Sequence, residues 1–202
     1  ITPRVLNSSG SKIYDANTDA LAGAITLSNL VSGEALNHSG TATISSANAG
    51  SYTITNLAGI TIADGSGGAA SNYTLTGGTH NFTVNQRPLN ATLARQYDGT
   101  TNAAGSDLSS FDALQGGETL TLSGSGTVGD ENVANGQGVT LGTLALVNGT
   151  GLASNYSLNS ASLNITKRVL NSSGSKTYDA NTNALAGAIT LSNLVSGEAL
   201  NH

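Results

Sequence analysis

Apolar residues in this chain come in short alternating runs separated by Gly, Asn, Asp and Ser, the signature of β-strands bounded by turns. Ala-Ile-Thr-Leu lies within Leu21–Leu30, and Ala42 and Ile44 share one face of Thr41–Ser45. Tyr52 and Ile54 alternate, but the next apolar residue is Leu57, with Ile60 and Ile62 behind it. That break in the two-residue period predicts a bulge or a strand end. Residues 63–68 read as a flexible loop, followed by strands at Asn72–Thr76 and Asn81–Asn85. Helical periodicity is feeble: residues 30–36 and 111–115 each suit a single turn.

The pattern then recurs. Leu89, Ala91 and Leu93 alternate, Leu120 and Leu122 follow Gly116-Gly117-Glu118, and residues 153–158 answer residues 70–75. Val139–Leu144 matches the spacing of Tyr52–Leu57, phase slip included, and Leu163 and Ile165 form a closing strand. Residues 168–202 repeat residues 4–38 almost verbatim, with Thr177 for Ile13 and Asn183 for Asp19. Self-similarity with a period of about 80 residues makes the chain a tandem array. Residues 1–3 end a preceding repeat, 4–86 and 87–167 are complete repeats, and 168–202 open a third.

Five or six short strands per repeat predict an all-β architecture of small β-sandwich-like domains, or a related barrel. Only Asn85, Gln86, Arg87 and Pro88 separate Val84 from Leu89, and Thr166, Lys167 and Arg168 separate Ile165 from Val169. Junctions this short hold neighbours in a fixed relation, unlike a Gly/Ser linker. The expectation is repeats arranged end to end as an extended rod. The third repeat carries nothing matching Ser39–Gln86, so its strands are expected to be completed by its own continuing chain or by a neighbouring chain.

Composition narrows the function. Charged residues make up 9%, against about 25% in ordinary globular proteins. Seven scattered Lys and Arg within a net charge of −5 argue against nucleic acid. Absence of Cys excludes disulfides, thiolate metal sites and cysteine nucleophiles. No apolar run approaches the ~20 residues of a helical membrane span. The three His, two of them at one repeat position, and the lack of a nucleophile-elbow motif suggest no enzyme.

The motif kept in all three repeats is Tyr14-Asp15, Tyr97-Asp98-Gly99 and Tyr178-Asp179, at the end of each first strand. Its structural reading is a Tyr packed over the end of the core and an Asp that accepts hydrogen bonds from backbone amides in an Asx-turn. The alternative is calcium, because Asp15, Asn17 and Asp19 have the oxygen spacing that opens a calcium loop. Ala20 and Thr26 replace the Gly and Glu of a complete loop, and the oxygens thin out at Asp98-Thr100-Asn102 and Asp179-Asn181-Asn183. No other cofactor is expected. Lys12 and Lys176 precede the motif, with Arg95 near the corresponding place, a swap that disfavours an isopeptide crosslink. Asp130-Glu131-Asn132 reads as a solvated turn. Gly124-x-Gly126-x-x-Gly129 is a chance spacing in a chain with 26 Gly, and no helix follows it.

With its Tyr-Asp-Gly turn, its Ser-Asn-Tyr strand at Ser71–Tyr73 and Ser154–Tyr156, and its Ile-Thr-Pro or Ile-Thr-Lys endings, the chain resembles a known family. It is similar to the YDG-type and MBG-type repeats of very large bacterial surface proteins, filamentous-haemagglutinin-like adhesins among them. Ala16 and Ala180 depart from the family's Gly. The resemblance implies an exported, mostly β repeat domain, related to β-grasp folds, located outside the cell or on the bacterial surface. It would serve as stalk, spacer or adhesive surface in cell adhesion and biofilm, with neighbouring copies of itself along a fibre or filament, or surface glycans, as partners. The alternative is a glycan-binding module of a secreted protein, stacking sugars on Tyr52, Tyr73 or Tyr156.

Overall fold

A computed structural model describes residues 1–201; His202, the counterpart of His38, lies outside the described residues. Among the described residues the chain is all-β, and its helical segments are single 3-10 turns of three residues. The chain gathers into two compact units. The first comprises Ile1–Leu89, Ala113–Thr121 and Leu146–Asn159, and the second Asn90–Asp112, Leu122–Ala145 and Ser160–His202.

The first repeat carries β1 (Arg4–Val5), β2 (Asn7–Ile13), β3 (Asp19–Leu21), β4 (Ile25–Ser28), β5 (Leu36–Ile44), β6 (Gly50–Asn56), β7 (Ile60–Asp64), β8 (Tyr73–Thr74) and β9 (His80–Asn85). Seven of these join in one nearly closed sheet of order β3-β5-β6-β9-β2-β4, with β7 also on β5. The ladder is continuous, nearer to a small barrel than to two stacked sheets. At its centre β2 and β9 run parallel, from Ser8 opposite His80 to Ile13 opposite Asn85. The other pairs in this sheet are antiparallel. Leu6, Ile25, Ala42, Ile44, Ile54, Phe82 and Val84 fill the interior. Gly10 lets the strands close on that core: a Cβ there would sit 2.3 Å from Ala24 O and 2.7 Å from Phe82 Cε2.

The phase slip after Ile54 is a bulge. Thr43 opposes Asn56 while Ile44 opposes Ile54, which leaves Thr55 as the extra residue of β6. Such a residue bends its strand and raises local twist, as a sheet that curls needs. The single helical turn expected at residues 30–36 is instead a reverse turn, closed by Glu34 N donating to Val31 O at 3.0 Å. Gly33, at φ +84°, supplies the left-handed residue such a turn requires. Residues 111–115 likewise form no helix: β12 ends at Phe111, and Glu118 N donates to Gln115 O across Gly116-Gly117.

The second repeat carries β10 (Arg87–Gln96), β11 (Asn102–Ala104), β12 (Leu108–Phe111), β13 (Leu120–Ser123), β14 (Ser125–Thr127), β15 (Ala134–Gly138), β16 (Ala145–Asn148) and β17 (Tyr156–Thr166). Four of them form a sheet of order β12-β10-β17-β15. The alternation read in the sequence is a buried face here: Leu89, Leu93, Leu163 and Ile165 are fully buried and Ala91 nearly so. Val139–Leu144 departs from expectation, since β15 stops at Gly138 and the segment forms no strand: Val139 N donates to Ala161 O, Thr140 bridges to Thr127, and a turn follows, with Leu144 N donating to Leu141 O. Register explains the shift. Tyr52 opposes Phe82 in the first repeat, but Gln137, not Val139, opposes Leu163 in the second, after an irregularity between Ala134 and Gln137.

The third repeat forms a hairpin of β18 (Asn171–Gly174) and β19 (Ile189–Ser192). Its register, Asn171 opposite Ser192 through Gly174 opposite Ile189, reproduces that of β2 with β4.

Candidate functional site

Each Tyr-Asp motif folds into the same turn. Asp15 Oδ1 accepts from Asn17 N (3.2 Å), Asp98 Oδ1 from Thr100 N (3.0 Å) and Asp179 Oδ1 from Asn181 N (3.2 Å), the Asx-turn geometry expected. The residue after Asp is left-handed in all three copies: φ is +61° at Ala16, +73° at Gly99 and +59° at Ala180. Replacing Gly by Ala therefore keeps the turn and strains the backbone, by about 1 kcal/mol.

The oxygens proposed for calcium converge on a cation supplied by the chain. Lys12 Nζ lies 2.8 Å from Asp15 Oδ1 and donates to Asn17 O (2.8 Å), Asn17 Oδ1 (2.7 Å) and Asp19 O (2.9 Å). Asp19 contributes its backbone carbonyl there. Lys176 repeats the arrangement on Asp179, Asn181 and the Asn183 carbonyl. Arg95 does so on Asp98 and on Thr100 O. The thinning of side-chain oxygens in the later repeats costs nothing here, because two of the contacts are to backbone carbonyls. Burial tends to raise the Asp98 carboxyl, but bonds from Thr100 and the Arg95 charge outweigh it and hold it below the usual range. Asp179 is likewise lowered, chiefly by Lys176. Among the described residues no group of three or more His, Cys, Asp or Glu gathers to hold a metal.

Tyr14, Tyr73 and Tyr156 are buried as their spacing suggested, but the carboxylates they meet were not foreseen. Within the first compact unit Tyr14 is buried, and its hydroxyl donates to Glu118 Oε1 at 2.6 Å. Tyr156 donates to the other oxygen, Oε2, at 2.5 Å and accepts from Gln115 N at 3.0 Å. The two rings meet edge to face, 5.4 Å between centroids and 75° between planes. Arg87 braces the contact by donating to Ala113 O (2.8 Å) and Tyr14 O (3.4 Å). Asn155, fully buried, accepts from Ala49 N (2.8 Å) and donates to Asn48 Oδ1 (3.0 Å). Burial, and then the bond to Glu118, pushes the Tyr14 phenol up to about 12. The same causes, in the same order, raise Tyr156.

Within the second unit Tyr97 donates to Glu198 Oε1, and Arg168 donates to Asn193 O (2.5 Å) and Tyr97 O (3.3 Å). The bond to Glu198 raises the Tyr97 phenol. Glu34, Glu118 and Glu198 are thus one repeat position. Each follows a glycine turn, and in two of the three it receives the tyrosine of the repeat ahead. In the first repeat Tyr73 donates to Glu34 and accepts from Val31 N (3.1 Å), as Tyr156 does with Glu118 and Gln115. Tyr178, by contrast, is 90% exposed.

The remaining candidates lie elsewhere in the fold. His80 is buried, its Nε2 donating to Leu75 O (2.8 Å) and its Nδ1 facing Ser8 Oγ (2.9 Å). His38 Nε2 bonds the Ala22 and Ile25 carbonyls. Asp130 Oδ1 accepts from Asn132 N (2.9 Å) in a local turn, and Gly124–Gly129 runs through β14 with no helix after it. Of the tyrosines a sugar site would use, Tyr73 and Tyr156 are buried against Glu, and Tyr52 is half-buried beside Thr53, Asn81 and Thr83. No helix among the described residues is long and apolar enough to cross a membrane.

Two adjacent segments, residues 2–80 and 83–165, match the family model of the YDG domain. No curated protein and no solved structure matches the chain.

Proposed function

The chain belongs to the YDG domain family, and we propose that it is a structural repeat region of an extracellular bacterial adhesin or surface fibre. Its repeats stand end to end as an extended rod that serves as stalk and spacer and takes part in cell-surface adhesion. Neighbouring repeats and neighbouring copies of the chain are its partners. The observation that carries this reading is the tyrosine–carboxylate contact found in both compact units. There a turn of one repeat is gripped by an Arg and a Glu of the next. In this reading the motif that marks each repeat serves to join repeats. The polar, weakly charged β-surface suits a spacer that must stay soluble without binding ions or nucleic acid along its length.

Small-angle X-ray scattering of the dilute chain tests the rod. The expected distance distribution has a single-repeat cross-section and a long tail. A symmetric distribution, from a globular particle, would sink the proposal. Antibody labelling of intact cells tests the location, with surface staining expected and staining only after lysis counting against it.

A further inference from the structure

Tyr14 and Tyr156 belong to successive repeats, yet within the first compact unit their reactive edges meet at one carboxylate. The Tyr14 hydroxyl donates to Glu118 Oε1 at 2.6 Å and the Tyr156 hydroxyl to Oε2 at 2.5 Å. The two oxygens of a carboxylate are close neighbours, so the phenol oxygens, and the ring carbons ortho to them, are drawn to the same place. The rings already touch edge to face, with centroids 5.4 Å apart. Among the described residues no other two aromatic rings are in contact. Gln115 N fixes the Tyr156 hydroxyl, and Arg87 fixes the Tyr14 carbonyl. Both rings are buried, whereas Glu118 keeps part of its surface in solvent.

This arrangement suits the coupling of two phenols. A phenol gives up an electron most readily when a base takes its proton in the same step. The Tyr14 phenol, pushed up to about 12, stays protonated, and Glu118 is the base set against it. We propose that Tyr14 and Tyr156 form an oxidative crosslinking site, at which a one-electron oxidant derived from a peroxide joins successive repeats covalently. Each phenol loses one electron to the oxidant and one proton to Glu118, which passes it to solvent. The two phenoxyl radicals then pair their electrons in a new Cε–Cε bond. The hydrogens on those carbons move to the oxygens and restore both phenols. The net loss is two electrons and two protons, taken up as hydrogen peroxide breaks its O–O bond to give two waters. Burial shields the radicals from other chains, and rings already in contact need no further encounter.

Illumination of the chain at low micromolar concentration with tris(bipyridine)ruthenium and peroxodisulfate, a peroxide reduced to two sulfates, tests the site. The expected product is a monomer lighter by two hydrogens, with dityrosine fluorescence, whose digest joins the peptides of Tyr14 and Tyr156. Urea should unfold it at a higher midpoint than the untreated chain, because a crosslink restricts the unfolded state. Glu118→Gln keeps a hydrogen-bond acceptor but loses the base, and should slow coupling by at least about tenfold. Tyr156→Phe keeps the ring and should abolish this product; it decides the matter even where Glu118→Gln unfolds. Tyr178→Phe, which removes a phenol that is 90% exposed, should leave the product unchanged. Circular dichroism confirms that each variant is folded. A chain that stays uncoupled, coupling that runs mainly through other tyrosines, or coupling as fast in a folded Glu118→Gln chain overturns the inference. It stands apart from the rod: scattering decides that reading, and crosslinking decides this one.

Discussion

The contacts at Glu118 and Glu198 admit the same tyrosine and differ in how they hold it. In the first compact unit two phenols share one carboxylate, their rings meet edge to face, and Asn155 ties in the turn at Asn48-Ala49. In the second, Glu198 takes Tyr97 beside Val133, Leu170 and Leu194, and Tyr97 is only half-buried. The turn, the Arg and the Glu all come from the opening stretch of a repeat. The second tyrosine and the Asn come from the start of its closing strand. A receiving repeat therefore positions its partner with its first 35 residues or so and seals the contact with its last strand.

Removing the shared carboxylate breaks this difference most sharply. Glu118→Ala leaves two buried phenols without an acceptor and should lower stability by about 3 kcal/mol or more, read from urea unfolding. Glu198→Ala should cost clearly less. If the two substitutions prove equal, the second tyrosine adds nothing.

Alkali probes the same contrast without mutation. Tyr14 titrates at about 12 in the folded chain against 10.0 for an ordinary tyrosine, so the unfolded chain releases this proton first. Its contribution to stability is fully present below pH 10 and is lost as pH climbs toward 12. Tyrosinate absorbance should show Tyr14 among the last phenols to ionise, and Tyr14→Phe should flatten the fall in stability over that window. An unchanged slope would exclude Tyr14 as its source.

Smaller effects come from the turn itself. Lys12→Met strands the four oxygens around Nζ and should cost about 2 kcal/mol, whereas Lys12→Arg should cost under about 1 kcal/mol, since Arg95 fills this role in the second repeat. Millimolar calcium should leave the melting temperature of the wild-type chain unchanged; a clear rise would mean the ion displaces the lysine. Least of all, Ala16→Gly should stabilise by about 1 kcal/mol through relief of its left-handed backbone. Gly99→Ala should act in the opposite direction, its Cβ also falling 2.9 Å from Val195 Cγ1.

Much of the fold was legible because it is local. Alternation at Leu89, Ala91 and Leu93 marks a buried face, and the missed beat between Ile54 and Leu57 is the bulge at Thr55. The error at Val139–Leu144 arose because spacing alone cannot reveal an irregularity one turn earlier, between Ala134 and Gln137. The turn at Asp15 was readable from side-chain chemistry, but its lysine was not, since Lys12 lies on the strand before the motif. The tyrosine contacts were harder still. Tyr14 and Glu118 are 104 positions apart, and a Glu after Gly-Gly looks like any solvated turn. The available signal was repetition: in a chain with only 12 acidic residues, Glu34, Glu118 and Glu198 return at one place in the period.

The parallel pairing of β2 with β9 has a consequence under tension. These are the first long strand and the last strand of the repeat, and they lie side by side over Ser8–Ile13 and His80–Asn85. Tugging on the two ends of the repeat draws β2 toward its start and β9 toward its finish, in opposite directions along a shared ladder. The bonds between them are then loaded in shear, all together, instead of being peeled one at a time. Strand polarity alone thus makes each repeat a clamp across its own line of pull.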